Sequence, residues 1–62
     1  MDKATQFNKV YANLPLHLRM EIVVVAQGEP FTWNSARLEI ENNSDIGRLI
    51  LDKLVKMEII KK

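Results

Sequence analysis

The sequence predicts a mostly α-helical domain of the α+β class, with a minimal two-stranded β-sheet. Apolar residues recur at helical spacing, three and four positions apart, in four separate stretches. Two short segments, 30–32 and 58–62, instead have the composition of strands. A chain of 62 residues has room for one hydrophobic core, so residues 1–62 are expected to form a single domain.

The first helix is predicted from Asp2 to Leu14. Its apolar stripe consists of Phe7, Val10, Tyr11 and Leu14, which follow the i, i+3, i+4, i+7 pattern of one helix face. Pro15 cannot continue this helix, because its ring removes a backbone donor and clashes with the preceding turn. Proline is favourable in the first turn of a new helix, so a second helix is expected to follow.

The second element, Leu16 to Gln27, has two interpretations. A helix is favoured because apolar residues keep helical spacing behind the proline and because Gly28 stands where a helix end commonly needs a left-handed residue. The spaced residues are Leu18, Ile22 and Val25. The alternative is a buried strand, since residues 22–25 are all β-branched.

The segment GEPFTWN, residues 28–34, predicts a short strand followed by a third helix. Pro30 donates no backbone hydrogen bond, so a strand from Pro30 to Thr32 must lie at a sheet edge. Thr32 or Asn34 can cap the helix, which is expected to extend to about Asn42. One face of this helix carries Trp33, Ala36 and Ile40.

The fourth helix is predicted to begin at Ser44, whose hydroxyl oxygen can accept a hydrogen bond from a first-turn amide. Asp45 follows and complements the positive end of the helix dipole. The apolar stripe of Ile46, Ile50, Leu54 and Met57 is widened by Leu49, Leu51 and Val55. We therefore expect this helix to form the centre of the core. The tail, Glu58 to Lys62, is predicted to be a short strand that pairs with residues 30–32.

Enzymatic and membrane functions find little support in the sequence. There is no cysteine, no second histidine to join His17, no glycine-rich phosphate loop and no GxSxG motif. We therefore expect no catalytic residues, no metal or other cofactor, and no small-molecule substrate. The apolar runs are too short to cross a bilayer and the N-terminus lacks the apolar region of a signal peptide, so a cytoplasmic protein without membrane insertion is expected.

The net charge of +1 is small, but the charges are unevenly distributed. Residues 1–47 contain more acidic than basic side chains. From Arg48 onward the balance reverses, with basic residues outnumbering Asp52 and Glu58. The positive field of the molecule is therefore expected to lie on the last helix and the tail.

The order of the predicted elements and the segment FTWNSARLEIENNSDIGRLILDKLVKMEIIKK resemble the winged helix-turn-helix family. In that pattern a helix, a turn and a capped recognition helix lead to a leucine, a turn and an apolar strand, positions filled here by Leu54, Glu58 and residues 59–60. Glu58 replaces the glycine usual at this turn, and glutamate disfavours a positive φ. The sequence also stops after the first wing strand, so a winged-helix-like core without a complete wing is expected.

The resemblance implies that the fourth helix is a recognition helix in the major groove of duplex DNA and that the protein has a regulatory role. Asparagine and arginine near the start of such a helix contact bases, whereas lysines further along contact phosphates. The implied nucleic-acid contacts are Asn43, Ser44, Arg48, Lys53, Lys56 and Lys61, with Lys62 as a further phosphate contact and Asn42 and Gly47 beside them. Asp45 opposes such binding, because its carboxylate is repelled by phosphates. The alternative for the basic residues is a solvated helix face.

The alternative function is a protein-interaction or dimerisation module that keeps this fold without binding nucleic acid. The first helix is an addition to the three-helix core, and its apolar stripe can cover that core or pack against a second copy. A homodimer is compatible with both functions. Salt separates them, because a nucleic-acid complex weakens steeply with added salt and an apolar protein interface does not.

Overall fold

The computed structural model describes residues 2–61, which form three α-helices, one short 3₁₀ helix and a two-stranded antiparallel sheet. In chain order the elements are α1 (Lys3–Ala12), the 3₁₀ helix (Leu16–Met20), β1 (Ile22–Ala26), β2 (Glu29–Thr32), α2 (Trp33–Glu41) and α3 (Asp45–Lys56). The predicted α+β, mostly helical class is confirmed, as is the minimal two-stranded sheet.

One hydrophobic core joins all three helices to the sheet. Phe7 of α1 and Ile50 and Leu54 of α3 are fully buried at its centre. Val24 and Phe31 cover them from the sheet. The prediction that the last helix forms the centre of the core is confirmed, since α3 packs against α1, α2 and β1.

The predicted second helix from Leu16 to Gln27 is wrong, and its strand alternative is correct for the second half of the segment. Only Leu16–Met20 is helical, as a 3₁₀ helix, and Ile22–Ala26 is β1. The β-branched run favours a pleated, half-buried strand over a helix. Gln27 and Gly28 both have positive φ, 52° and 78°, as a two-residue type I′ turn requires, so the glycine closes a hairpin rather than a helix.

The strand predicted for the tail is also wrong. Residues 57–61 form a turn and a bend after α3, and Lys62 lies outside the described residues. The strand predicted over residues 30–32 is confirmed, but its partner is β1, which is only a two-residue turn away. A local partner of this kind costs far less chain entropy than the distant tail.

The two α-helices that follow the hairpin end in the same left-handed cap. Asn43 follows α2 with φ 54° and Glu58 follows α3 with φ 61°. In each case the backbone N–H of the next residue donates a hydrogen bond to a carbonyl oxygen near the end of the helix. These bonds run from Ser44 N to Glu39 O and from Ile59 N to Leu54 O. Glu58 therefore adopts the left-handed conformation that its side chain disfavours.

The predicted helix starts are confirmed at all three α-helices. The Asp2 side chain accepts from Thr5 N at 2.7 Å, and the Ser44 hydroxyl accepts from Gly47 N at 3.0 Å. Thr32, rather than the alternative Asn34, caps α2. The first helix ends at Ala12, two residues earlier than predicted, in line with the obstruction that Pro15 presents.

Candidate nucleic-acid interface

Helices α2 and α3 are joined by only three residues, Asn42 to Ser44, and pack closely against each other. Gly47, in the first turn of α3, lies at a close contact between the two helices. A Cβ atom added there would lie 2.5 Å from the backbone oxygen of Glu39 in α2. Glycine is therefore required at this position, and the helix pair has the short connection of a helix-turn-helix unit.

The Ser44 hydroxyl is engaged in local hydrogen bonds. Besides accepting from Gly47 N, it lies 2.8 Å from Glu39 Oε1 and 3.1 Å from Glu39 O, to which it can donate. The side chain is half-buried. Ser44 thus fastens the start of α3 to the end of α2, which gives this predicted contact residue a structural role.

Asn43 is exposed in the turn, and its backbone conformation explains the residue type. Asparagine tolerates the left-handed region better than other non-glycine residues, and φ is 54° here. The residue stands two positions before Asp45, the first residue of α3. A base contact from this position is therefore compatible with the turn.

The solvent-facing side of α3 carries alternating charges. The exposed residues along it are Asp45, Arg48, Asp52 and Lys56. Arg48 Nη1 lies 3.3 Å from Asp45 Oδ1, and Asp52 Oδ1 lies 2.6 Å from Lys3 Nζ of α1. Two acidic and two basic side chains cancel, so this face has no strong positive field.

The Asp52 carboxylate is held in its charged form by α1. The hydrogen bond and the charge of Lys3 lower its pKa below the ordinary value, with a smaller contribution from Lys56. Both partners are exposed, so the pair contributes little to stability. The carboxylate at the middle of the exposed face of α3 is thus paired with a cation of α1.

Lys53 points away from this face. Its Nζ donates to the backbone oxygen of Val25 in β1 at 2.9 Å, and the side chain is half-buried. Of the predicted phosphate contacts, Lys53 is therefore committed to the sheet, whereas Lys56 is exposed near the end of α3.

Lys61 lines a groove beside the C-terminal end of α3. The groove has a volume of about 430 Å³ and is lined by Val55, Glu58, Ile60 and Lys61. Lys61 is exposed. It is separated from Arg48 by most of the length of α3, so the predicted site residues are spread along one side of the molecule rather than gathered at one point.

A cluster of aromatic and basic side chains was not predicted from the sequence. Arg19 stacks over the Tyr11 ring at 4.3 Å and its Nη2 donates to Tyr11 O at 3.1 Å. Arg37 lies 5.2 Å from the same ring, and the Tyr11 hydroxyl donates to Asn34. These contacts fasten α1 to the 3₁₀ helix and α2. No sequence periodicity connects these residues, because they come from three different elements.

Within residues 2–61 the structure contains no group of three or more acidic or histidine side chains placed to hold a metal ion. In the same part of the chain no helix is both long enough and apolar enough to cross a membrane. Comparison with protein-family models, curated proteins and solved structures returned no match to this chain.

Proposed function

We propose that this protein is a small cytoplasmic regulator that binds duplex DNA through α3. The supporting observation is the α2-turn-α3 unit itself. A three-residue turn and the close contact at Gly47 hold α3 against α2, while the opposite side of α3 stays exposed from Asp45 to Lys56. This is the arrangement in which a second helix enters a major groove.

Arg48 is the base-contacting residue of this proposal, with Asn43 beside it. Both are exposed at the N-terminal end of α3, where a recognition helix meets base edges. Among residues 2–61, Arg48 forms an ion pair only with the exposed Asp45, and such surface pairs are worth about 0–1 kcal/mol. A guanine can therefore compete for the guanidinium at little cost.

Lys56 and Lys61 are the phosphate contacts. Two or three neutralised phosphates give a slope of log K against log salt of roughly −2 to −3. The carboxylates of Asp45 and Asp52 oppose binding, so we expect weak affinity for random DNA that is lost at moderate salt. Tight binding would require a specific sequence and contacts by both copies of a homodimer.

The test is a titration of the ¹⁵N-labelled protein with random duplex DNA. The amide chemical shifts are recorded at each step, once at low salt and once at high salt. Salt-sensitive shifts on residues 43–56 are expected. The test variant is Arg48→Ala, which removes the base-contacting cation. Its matched control is Lys9→Ala, which removes an exposed cation from α1. Normal binding by Arg48→Ala, or an equal loss with Lys9→Ala, would refute the recognition-helix assignment.

The second candidate is a protein-interaction module that binds no nucleic acid. It is favoured by large apolar side chains that remain exposed: Leu16, Met20, Ile22, Val25, Leu38 and Met57. Monomers seldom expose much contiguous apolar surface without a use for it. Absence of any DNA-dependent shift at low salt, together with self-association or partner binding that persists in salt, would favour this candidate.

A further inference from the structure

The start of α1 lies beside the exposed face of α3. Lys3 is the first residue of α1, and its Nζ lies 2.6 Å from Asp52 Oδ1, near the middle of α3. The two residues are 49 positions apart in the chain, and α1 packs against α3. The side chains of Lys3 and Asp52 remain 39% and 54% exposed. Lys3 therefore adds a cation from outside the α2-turn-α3 unit to the surface that α3 presents to solvent.

Asp52 has cations on three sides. Arg48 stands four residues before it and Lys56 four residues after it, a spacing that places side chains next to each other on one helix face. Lys3 reaches the same carboxylate from α1. The hydrogen bond and the charge of Lys3, followed by the charge of Lys56, hold the pKa of Asp52 below its ordinary value. Positive charge thus outweighs negative charge around this carboxylate.

The Lys3 ammonium group can hold a second acceptor. A lysine ammonium carries three N–H donors, and the contact with Asp52 uses one of them. The side chain is partly exposed, so an oxyanion can reach the group from solvent. The carboxylate of Asp2, the neighbouring residue, is engaged in capping α1, where it accepts from Thr5 N at 2.7 Å. Lys3 can therefore contact Asp52 and a phosphate oxygen at the same time.

We propose that Lys3 is a phosphate contact in the DNA complex, so that the start of α1 forms one DNA-binding surface with the exposed side of α3. This inference rests on the proposed function, because it requires α3 to lie against DNA. The Lys3 ammonium group bridges Asp52 and a phosphate on the side of the groove next to α1. The bridge links the central carboxylate of α3 to the DNA backbone through a cation and reduces the repulsion between them.

Lys9 provides the matched control on the same helix. It is exposed and carries the same charge as Lys3. It stands six residues later, which is about 240° around the helix axis at 3.6 residues per turn, so it lies on another side of α1. Lys3→Gln and Lys9→Gln therefore change the net charge equally, but only the first removes a cation from the proposed surface.

The test is fluorescence anisotropy of a labelled random duplex over a series of salt concentrations. Lys3→Gln is expected to weaken binding roughly three- to tenfold at low salt and to make the slope of log K against log salt shallower by about 0.9, the contribution of one phosphate contact. Lys9→Gln should change the affinity by less than about twofold, and Lys3→Arg, which keeps the cation, should bind like the unchanged protein. Thermal unfolding and amide spectra show that the three variants are folded.

A second background distinguishes a phosphate contact from a lysine that only neutralises Asp52. In Asp52→Asn the carboxylate is gone, so no cation is needed to neutralise it, whereas a contact to phosphate is still lost when Lys3 is replaced. The double variant Lys3→Gln/Asp52→Asn is therefore expected to bind at least about threefold more weakly than Asp52→Asn alone. Equal affinity of these two proteins overturns the inference.

The outcomes also separate this inference from the proposed function. In the titration with duplex DNA, salt-sensitive amide shifts are expected at residues 3–6 as well as at 43–56. If Arg48→Ala loses binding while Lys3→Gln binds as well as Lys9→Gln, the inference about α1 is overturned and DNA binding by α3 stands. If Arg48→Ala binds normally, the recognition-helix assignment is overturned and the role of Lys3 falls with it.

Discussion

Lys53 Nζ donates a hydrogen bond to the backbone oxygen of Val25 at 2.9 Å and thereby joins α3 to the outer edge of β1. The two residues lie 28 positions apart in the chain. The contact gives a hydrogen-bond partner to the Val25 carbonyl, which is not bonded to the other strand of the hairpin. It also keeps the Lys53 ammonium group away from the exposed side of α3. One side chain thus supports the sheet and lowers the positive charge available for DNA.

Lys53→Met is expected to destabilise the protein by about 1 kcal/mol, because the aliphatic stem is kept while the donor to Val25 O is lost. The measurement is the free energy of unfolding in urea. The control is Lys56→Met, at an exposed lysine of the same helix, which should change stability by less than about 0.5 kcal/mol. DNA affinity should respond in the opposite order, falling more for Lys56→Met. Equal stability of the two variants would contradict the structural role of Lys53.

The helices and their caps were predictable because their signals are local. A serine or threonine before an apolar stripe marks a helix start. The Thr32 and Ser44 side chains accept hydrogen bonds from first-turn amides of α2 and α3, as expected of such residues. The hairpin was missed because the spacing of Leu18, Ile22 and Val25 also fits a helix. Gly28 was equally ambiguous, since a helix end and a type I′ turn both require its positive φ.

Gly47→Ala is expected to destabilise the protein by about 1–2 kcal/mol. Alanine gains about 1 kcal/mol of helix propensity, but its Cβ would lie 2.5 Å from Glu39 O, and overpacking against backbone costs up to about 3 kcal/mol. Urea unfolding measures the difference. Gly28→Ala is the control: nothing lies within 4 Å of the added Cβ, so only the strain of φ 78° applies, about 1 kcal/mol. A stabilised Gly47→Ala variant would show that α2 and α3 are not in close contact.

Glu58→Gly is expected to stabilise the protein by about 0.5–1 kcal/mol. Glu58 holds φ 61° in the cap that ends α3, and glycine adopts this conformation without the steric cost of a Cβ. Thermal unfolding of both proteins measures the gain. Asn43→Gly, at the same position of the cap on α2, should gain less because asparagine already tolerates the left-handed region. A loss of stability in Glu58→Gly would mean that this residue does not occupy the left-handed cap.

The long-range polar contacts of the candidate site could not be predicted from the sequence. Lys53 was assigned to phosphates because it follows Arg48 on a basic helix, and no local pattern identifies a carbonyl 28 residues away as its partner. Asp52 likewise takes its partner, Lys3, from the other end of the chain. The alternation of acidic and basic residues on the exposed face of α3 is local and can be read from the sequence, whereas the partners of Lys53 and Asp52 depend on the tertiary fold.

The ion pair between Lys3 and Asp52 gives a prediction about pH. The pKa of Asp52 is lowered by Lys3, so the pair contributes stability that is present above the unfolded-state pKa near 3.8 and is lost as pH falls through the folded value. In Lys3→Met the pKa of Asp52 should rise toward 3.8, measured from its carboxyl carbon shift. The pKa of Asp2 is lowered by the Thr5 amide and serves as an internal control that should change little. An unchanged pKa for Asp52 would show that the pair does not form in solution.

Asp45→Asn is expected to strengthen binding of duplex DNA by roughly two- to fivefold at low salt. The substitution removes a carboxylate that repels phosphates, and it releases Arg48 Nη1, which lies 3.3 Å from that carboxylate. It also weakens the favourable charge at the N-terminus of α3, at a cost of about 0.3–1 kcal/mol in stability. Fluorescence anisotropy of a labelled random duplex measures the affinity.

The control for this prediction is Glu21→Gln, which makes the same change in net charge at an exposed site before β1. If α3 is the binding surface, Glu21→Gln should gain less than Asp45→Asn, and the gain of both should vanish as salt screens the charges. An equal gain in the two variants would mean that only the net charge of the molecule matters. In that case the exposed face of α3 is not where DNA binds, and the α2-turn-α3 unit serves the fold or a protein partner instead.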